Sequence, residues 1–279
     1  MKELIRRMVA KIDRTLRPGA QAGFTSPVAS WEEAKRLAGS YAHGQILERV
    51  AQSTRAVTGG TAVAERDGVV FAMPQIPARL VNKLRELTAA RGGLRVLDFG
   101  GALGSTYRQC LGELPGGAIA AWVVVEQSHF VDLGRREFRD GTLDFVGSIA
   151  SAAAGQAIDV AILSGVTQYL EDPLWPLREL RAAGITRVIL DRTPTHTGDT
   201  DLFTIQRVPK YVYGHPLSYP VRIHSLRRLT ADLESMFGPV EVGEGAFDGV
   251  MRAGKIPVHF RFFATLTDAG QPTVPRDPS

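Results

Sequence analysis

The sequence predicts an α/β fold, a doubly wound and mostly parallel sheet preceded by an N-terminal helical cap. From residue 94 onward, short runs rich in Val, Ile and Leu alternate with helical stretches, the pattern of repeated βα units. Those runs are bounded by Gly or charged residues, as strands buried on both faces are. Before residue 94 the periodicity is helical instead.

Taken in order, residues 1–92 read as the cap, 93–270 as the doubly wound domain and 271–279 as a flexible tail rich in Pro and polar residues. Ile5, Met8, Val9, Ile12 and Leu16 fall at helical spacing with Lys2, Arg6, Arg7, Lys11 and Arg14 between them. That pattern fits a first helix docked on its own domain, or alternatively a membrane-surface or partner helix, ended by Pro18-Gly19. Ser30 before Trp31-Glu32-Glu33 is a capping box that opens a second helix. Another helix is expected over Gln45–Val57, ending at Gly59-Gly60. A short segment, Val63–Phe71, and a helix over Pro77–Ala90 ending at Gly92-Gly93 follow.

Strands are expected at Leu94–Phe99, Ala120–Val125, Val160–Ser164 and Arg187–Leu190, with helices at 104–114, 130–139, 148–155 and 173–183. Val240–Val242 and Val258–Leu266 alternate, and would close the sheet as an antiparallel pair.

Composition removes whole classes of function. Of 279 residues 44% are hydrophobic and 22% charged, which is globular. The longest apolar run, Ala118–Val125, stops at Glu126, far short of a membrane span. The opening MKELIRRMVAKIDR lacks the apolar core of a signal peptide. A single cysteine, Cys110, excludes an intrachain disulfide framework and fits a cytoplasmic protein. His215, His224 and His259 have no partner at ligand spacing, so no metal is expected. A net charge of +4 without basic runs argues against nucleic acid and for a small-molecule substrate.

The chemistry-bearing stretch is Val96-Leu97-Asp98-Phe99-Gly100-Gly101-Ala102-Leu103-Gly104, at a strand end where a helix opens. Gly100 permits a sharp turn, small residues at 101 and 102 let a ligand approach the backbone, and Gly104 lets the helix pack closely. Glu126 closes the next strand, so both carboxylates belong at the carboxyl edge, where α/β sheets bind ligands. Glu126 suits the two hydroxyls of a ribose. Asp98 would repel the pyrophosphate of NAD but can receive the ammonium of a methionine moiety, which favours S-adenosylmethionine.

VLDFGGALGS, VVVEQSHF, DVAILSGVTQYLEDP and VILDRTP resemble the class I S-adenosylmethionine-dependent methyltransferases. More narrowly, they are similar to a family of methyltransferases linked with polysaccharide or natural-product biosynthesis. One departure is Ala102, where the general pattern has a glycine. The resemblance implies a Rossmann-like fold with Gly100, Gly101 and Ala102 along the methionine part of the cofactor. It further implies Glu126 at the ribose, Gln127 beside the adenine, Ser148 at the adenine edge and Ser164 on the sulfonium side.

Four residues are candidates for the reacting centre. Tyr169 would offer its ring to the sulfonium or else serve as a core tyrosine. Gln168 would orient the substrate or cap a helix. Arg192 would clamp a carboxylate or phosphate, or pair with Asp191 or Glu171. His196 would act as a general base or lie on the surface. Upstream, Arg66, Asp67 and Phe71 would close over the cofactor, or form a plain turn. The aromatic run Tyr211, Tyr213 and Tyr219 would wall the pocket or pack a loop. The activity implied is methyl transfer to a small molecule or sugar intermediate. Alternatives are cyclisation of the cofactor itself to azetidine-2-carboxylate and methylthioadenosine, and a non-catalytic binding module.

Overall fold

A computed structural model describes residues 23–38, 43–155, 157–209, 212, 216–246 and 249–266. The expected first helix, the tail, Tyr211, Tyr213 and His215 lie outside the described residues. The strands are β1 (Gly23–Phe24), β2 (Ala64–Arg66), β3 (Val69–Phe71), β4 (Leu94–Phe99), β5 (Ile119–Val125), β6 (Leu143–Val146) and β7 (Val160–Ser164). They continue with β8 (Val188–His196), β9 (Leu202–Val208), β10 (Leu217–Ser225), β11 (Val240–Glu244), β12 (Val250–Ala253) and β13 (Ile256–Thr265). The helices are α1 (Trp31–Leu37), α2 (His43–Thr58), α3 (Ala78–Arg91) and α4 (Ser105–Leu111). Beyond the first βα unit come α5 (Ser128–Glu137), α6 (Ile149–Ala153), α7 (Trp175–Ala182) and α8 (Leu226–Phe237).

The central sheet runs β6-β5-β4-β7-β8-β13-β11, parallel from β6 to β8 and closed by the antiparallel β13. Its strands carry apolar side chains to both faces. Val96, Ile162, Ile189 and Phe262 meet α3, α4 and α5 on one side, while Leu97, Leu163, Leu190 and Phe263 meet α6, α7 and α8 on the other. The expected closing pair is β11 against β13, from Val240↔Thr265 to Glu244↔Arg261. Strand β6, which pairs with β5, was not anticipated; its four residues alternate with Asp144 outward and are too short to stand out.

The segment expected as a helical cap divides among three places. β1 enters the main sheet between β12 and β9, α3 packs its Leu80 and Leu84 into the core, and β2 and β3 form a separate hairpin beneath α2. The capping box of α1 is present: Ser30 Oγ accepts from the Glu33 N–H at 3.1 Å, and Glu33 reaches back to the Ala29 N–H at 2.9 Å. Trp31 on α1 meets Phe203 edge-on, and Arg222 lies over both rings.

The largest departure is β8, expected to end at Leu190 but running to His196. Past β7 it joins a closed circuit of pairings, β8–β13–β12–β1–β9–β10–β8, a six-stranded ring standing on the carboxyl edge. Where sheet gives way to ring, β8 carries a bulge: Asp191 and Arg192 together oppose Phe262 alone. Arg192 adopts φ 53 there, so the bulge turns its side chain off the strand line toward the edge.

Candidate active site

The chain turns at the end of β4 through three left-handed residues, Gly100 (φ 73), Ala102 (φ 50) and Gly104 (φ 86). Each glycine is required by a neighbour as well as by its angle. A Cβ on Gly100 would sit 2.6 Å from Val166, and one on Gly104 would sit 2.9 Å from Leu143 of β6. At Gly101 a Cβ would run into the Asp98 carboxylate itself. The bare backbone of this turn therefore faces outward because a carboxylate fills the space behind it.

Asp98 is buried, with 1% of its surface exposed. Its Oδ2 accepts from Trp122 Nε1 at 3.1 Å, and its Oδ1 has no hydrogen-bond partner. Burial pushes its carboxyl up to about 7; the indole N–H opposes that rise and nearby Glu126 adds to it. The sequence expectation put this acid at the ligand surface. The structure instead sets it beneath the turn, separated from the cavity by the Gly101 backbone.

Glu126 leaves β5 beside the same turn. Its carboxylate accepts from the Gln127 N–H at 2.8 Å and from the Ala102 N–H, and burial outweighs both bonds to raise it. Both acids lie against the bend, Asp98 under Gly101 and Glu126 against Ala102, and neither lines the cavity in front of it.

A cavity of about 780 Å³, counting its open mouth, lies in front of the turn. Gly100, Gly101, Ala102 and Ser164 line it as expected, together with Arg192. Asp191, Ser105, Thr106, Gln109 and Phe130 add walls that sequence reasoning missed. Their signal was present. Ser105, Thr106 and Gln109 share the face of α4 that follows the glycine turn, and Asp191 directly follows the run expected as a strand over Arg187–Leu190. Asp191 Oδ1 accepts from the Arg192 N–H at 2.9 Å, which holds the bulge.

The hairpin adds Arg66 and Asp67 to the lining, and Ile46 and Val50 of α2 with Pro77 complete it. Glu65 anchors it, bonding Ser105 through its side chain and accepting from Gln109 Nε2 at 2.9 Å through its carbonyl. At the tip, Asp67 Oδ2 accepts from Arg192 Nη2 at 2.7 Å across the cavity mouth. Of the expected Arg192 partners, Asp191 bonds its backbone N–H, while Glu171 pairs with Lys35 at 3.1 Å. Desolvation raises the Asp67 carboxyl, but Arg192, with Arg66 behind it, outweighs this and holds it below the ordinary value.

Several expected residues fall outside the cavity. Phe71 lies under Arg66, whose guanidinium is 5.2 Å from its ring centre and whose Nη1 donates to Gln75. Tyr169 donates to Gln206 Oε1 at 2.6 Å and meets Tyr219 edge-on, so ring strands hold it rather than a sulfonium. Gln168 is buried, its Oε1 without a partner, and it does not line the cavity. His196 is a corrected expectation: Nε2 bonds the Thr200 carbonyl at 2.8 Å and Nδ1 accepts from the Gly198 N–H at 3.1 Å, which engages both nitrogens. Ser148 caps α6 through the Ser151 N–H at 3.0 Å, and Gln127 is the exposed residue before α5. Cys110 is buried in the core, as packing requires.

No protein-family model matches the chain, and the curated proteins give no significant match. Among solved structures it is similar to the N-terminal domain of EvdMO1, crystallised with S-adenosylhomocysteine and D-fucose, at 18% identity and TM-score 0.47 over 82% of this chain and 100% of that one. It is also similar to CalS10, an amino pentose methyltransferase from Micromonospora echinaspora with S-adenosylmethionine bound, at 12% identity and TM-score 0.38 over 68% and 89% of the two chains. A third is an S-adenosylmethionine-dependent methyltransferase from Clostridium acetobutylicum, at 9% identity and TM-score 0.41 over 78% and 98%. Each is a likeness of backbone course alone.

Proposed function

We propose that this protein binds S-adenosylmethionine at the β4 turn and transfers its methyl group to a small molecule. The observation that carries the reading is the turn itself, outward-facing backbone from Gly100 to Gly104 gripped from behind by Asp98 and from the side by Glu126. The fit can be tested on the residues present. Glu126 spends its bonds on two backbone N–H groups yet, as a carboxylate, has further lone pairs for ribose hydroxyls. A pyrophosphate over the turn would lie near the Glu126 carboxylate beside Ala102, which disfavours NAD.

When bound, the cofactor supplies an activated methyl group; the chain has only to align an attack and exclude water. Ser164 ends β7 and Asp191 pairs beside it within β8, both on the cavity wall where an acceptor would approach. The engaged nitrogens of His196 remove it as a base, which suits an acceptor that deprotonates easily. Nothing in the cavity favours the cyclising alternative.

Calorimetric titration with S-adenosylhomocysteine tests the reading. One-to-one binding is expected, weakened about 10- to 100-fold in Glu126→Ala through loss of charge-assisted hydrogen bonds. Absence of binding to the unaltered protein, or equal binding of NAD, would sink it.

A further inference from the structure

Strand β2 carries an acid, Glu65, that is only 3% exposed and bonds two residues of one helix face. The Ser105 hydroxyl donates to Glu65 Oε1, and Gln109 Nε2 donates to the Glu65 carbonyl at 2.9 Å. Ser105 and Gln109 stand four residues apart on α4, one turn above the other, and both line the cavity beside the glycine turn. The second carboxylate oxygen, Oε2, is buried without a hydrogen-bond partner. Burial raises the Glu65 carboxyl above its ordinary value; the Ser105 hydroxyl opposes that rise, Asp67 adds to it and the charge of Arg108 opposes it again. These bonds fix what the wall offers. A serine whose proton goes to a carboxylate presents lone pairs to the cavity, and an amide whose nitrogen faces a carbonyl keeps its oxygen as the uncommitted end. The wall therefore accepts hydrogen bonds, with a buried negative charge behind it. It repels a carboxylate or phosphate, and it suits a group that combines positive charge with several N–H donors. In S-adenosylmethionine only the ammonium of the amino-acid end does so, since the sulfonium has no N–H. The other acids around the cavity are committed elsewhere. Asp98 lies behind the Gly101 backbone, while Asp67 and Asp191 bond the guanidinium and the N–H of Arg192.

We infer that Ser105 and Gln109, backed by Glu65, seat the ammonium of the cofactor's amino-acid end, the role that the sequence pattern gives to Asp98. Glu65 is a positioning residue: it does not line the cavity, and acts by setting the direction of the Ser105 hydroxyl and by placing charge behind it. The inference deepens the methyl-transfer reading and rests on its cofactor.

The test titrates the full chain in a calorimeter with S-adenosylhomocysteine and, separately, with its deaminated analogue, in which hydrogen replaces the ammonium and the carboxylate is kept. The unaltered protein is expected to prefer S-adenosylhomocysteine about 10- to 100-fold, the range for hydrogen bonds to a charged group. Glu65→Gln removes the charge at equal size and keeps the backbone carbonyl that Gln109 holds; Ser105→Ala removes the hydroxyl. Each is expected to cut the preference about three- to tenfold while leaving affinity for the analogue within about twofold. Binding of the analogue thus reports that the cavity is still formed in each variant. A preference below about threefold in the unaltered protein, an unchanged preference in either variant, or equal weakening of both compounds would each overturn the inference, the last by showing that Glu65 only holds the hairpin in place. If S-adenosylhomocysteine does not bind the unaltered protein, the cofactor reading falls and takes the seat with it. If it binds and the variants leave the preference unmoved, only the seat falls.

Discussion

Ala102 occupies a left-handed conformation that a side chain tolerates at a cost of about 1–2 kcal/mol, where glycine incurs none. Ala102→Gly is therefore expected to stabilise the protein by about 0.5–1 kcal/mol, the relief outweighing glycine's greater chain entropy, as read from the denaturant midpoint. Asp98 makes a prediction of opposite character. Its carboxyl is raised from 3.8 to about 7, so the unfolded chain releases the proton first. Its contribution to stability falls as pH rises from about 4 to 7, by up to about 4 kcal/mol. His224 works the other way: burial lowers it to about 4, Asp201 opposing, and its stability is lost as pH falls from 6.5 toward 4. Asp98→Asn is expected to remove the falling component, so that its stability relative to the unaltered protein climbs between pH 4 and 7. A flat difference over that range would show that Asp98 is charged throughout.

At the scale of elements, packing overrides propensity in ways a single sequence does not announce. Gly134 lies in the middle of α5, where alanine would ordinarily add about 1 kcal/mol of helix stability. A Cβ there would sit 2.6 Å from the ring of buried Phe145 on β6, between closely packed layers. Gly134→Ala is expected to cost about 1–3 kcal/mol net, measurable in the urea midpoint; a gain would show that α5 can shift on the sheet. The same competition explains what could be read beforehand. Leu94–Phe99 and Val160–Ser164 match their expected bounds because most of each strand is buried on both faces, which gives short, dense apolar runs. The capping box at Ser30 was legible because a cap is local chemistry. The bulge at Asp191-Arg192 was not, since only the register against β13, some 70 residues further on, creates it.

Across the whole molecule, the doubly wound half was readable and the ring was not, for one physical reason. Parallel strands advertise themselves through continuous hydrophobicity. Ring strands such as β9 and β10 mix Thr204, Arg222 and His224 with apolar residues, and gain their identity only from partners distant in sequence. Of the cavity lining, the turn, Ser164 and Arg192 were visible because they end or follow the strands expected over Leu94–Phe99, Val160–Ser164 and Arg187–Leu190. Tyr169 and His196 were misplaced because the ring captures both: Gln206 of β9 takes the Tyr169 hydroxyl, and the turn from β8 into β9 uses the imidazole.

That circuit of strands also dictates an order of assembly during translation. Phe24 is laid beside Gln206 and Ala253, and Thr195 beside His259, so β1 cannot complete its pairings during synthesis until β9 and then β12 have been made. The parallel half can gather itself first from neighbouring segments, whereas the circuit must wait and then close late, with a large loop to bring round. Since Arg192 stands at the junction of the two, the cavity mouth would be among the last of the described parts to take shape.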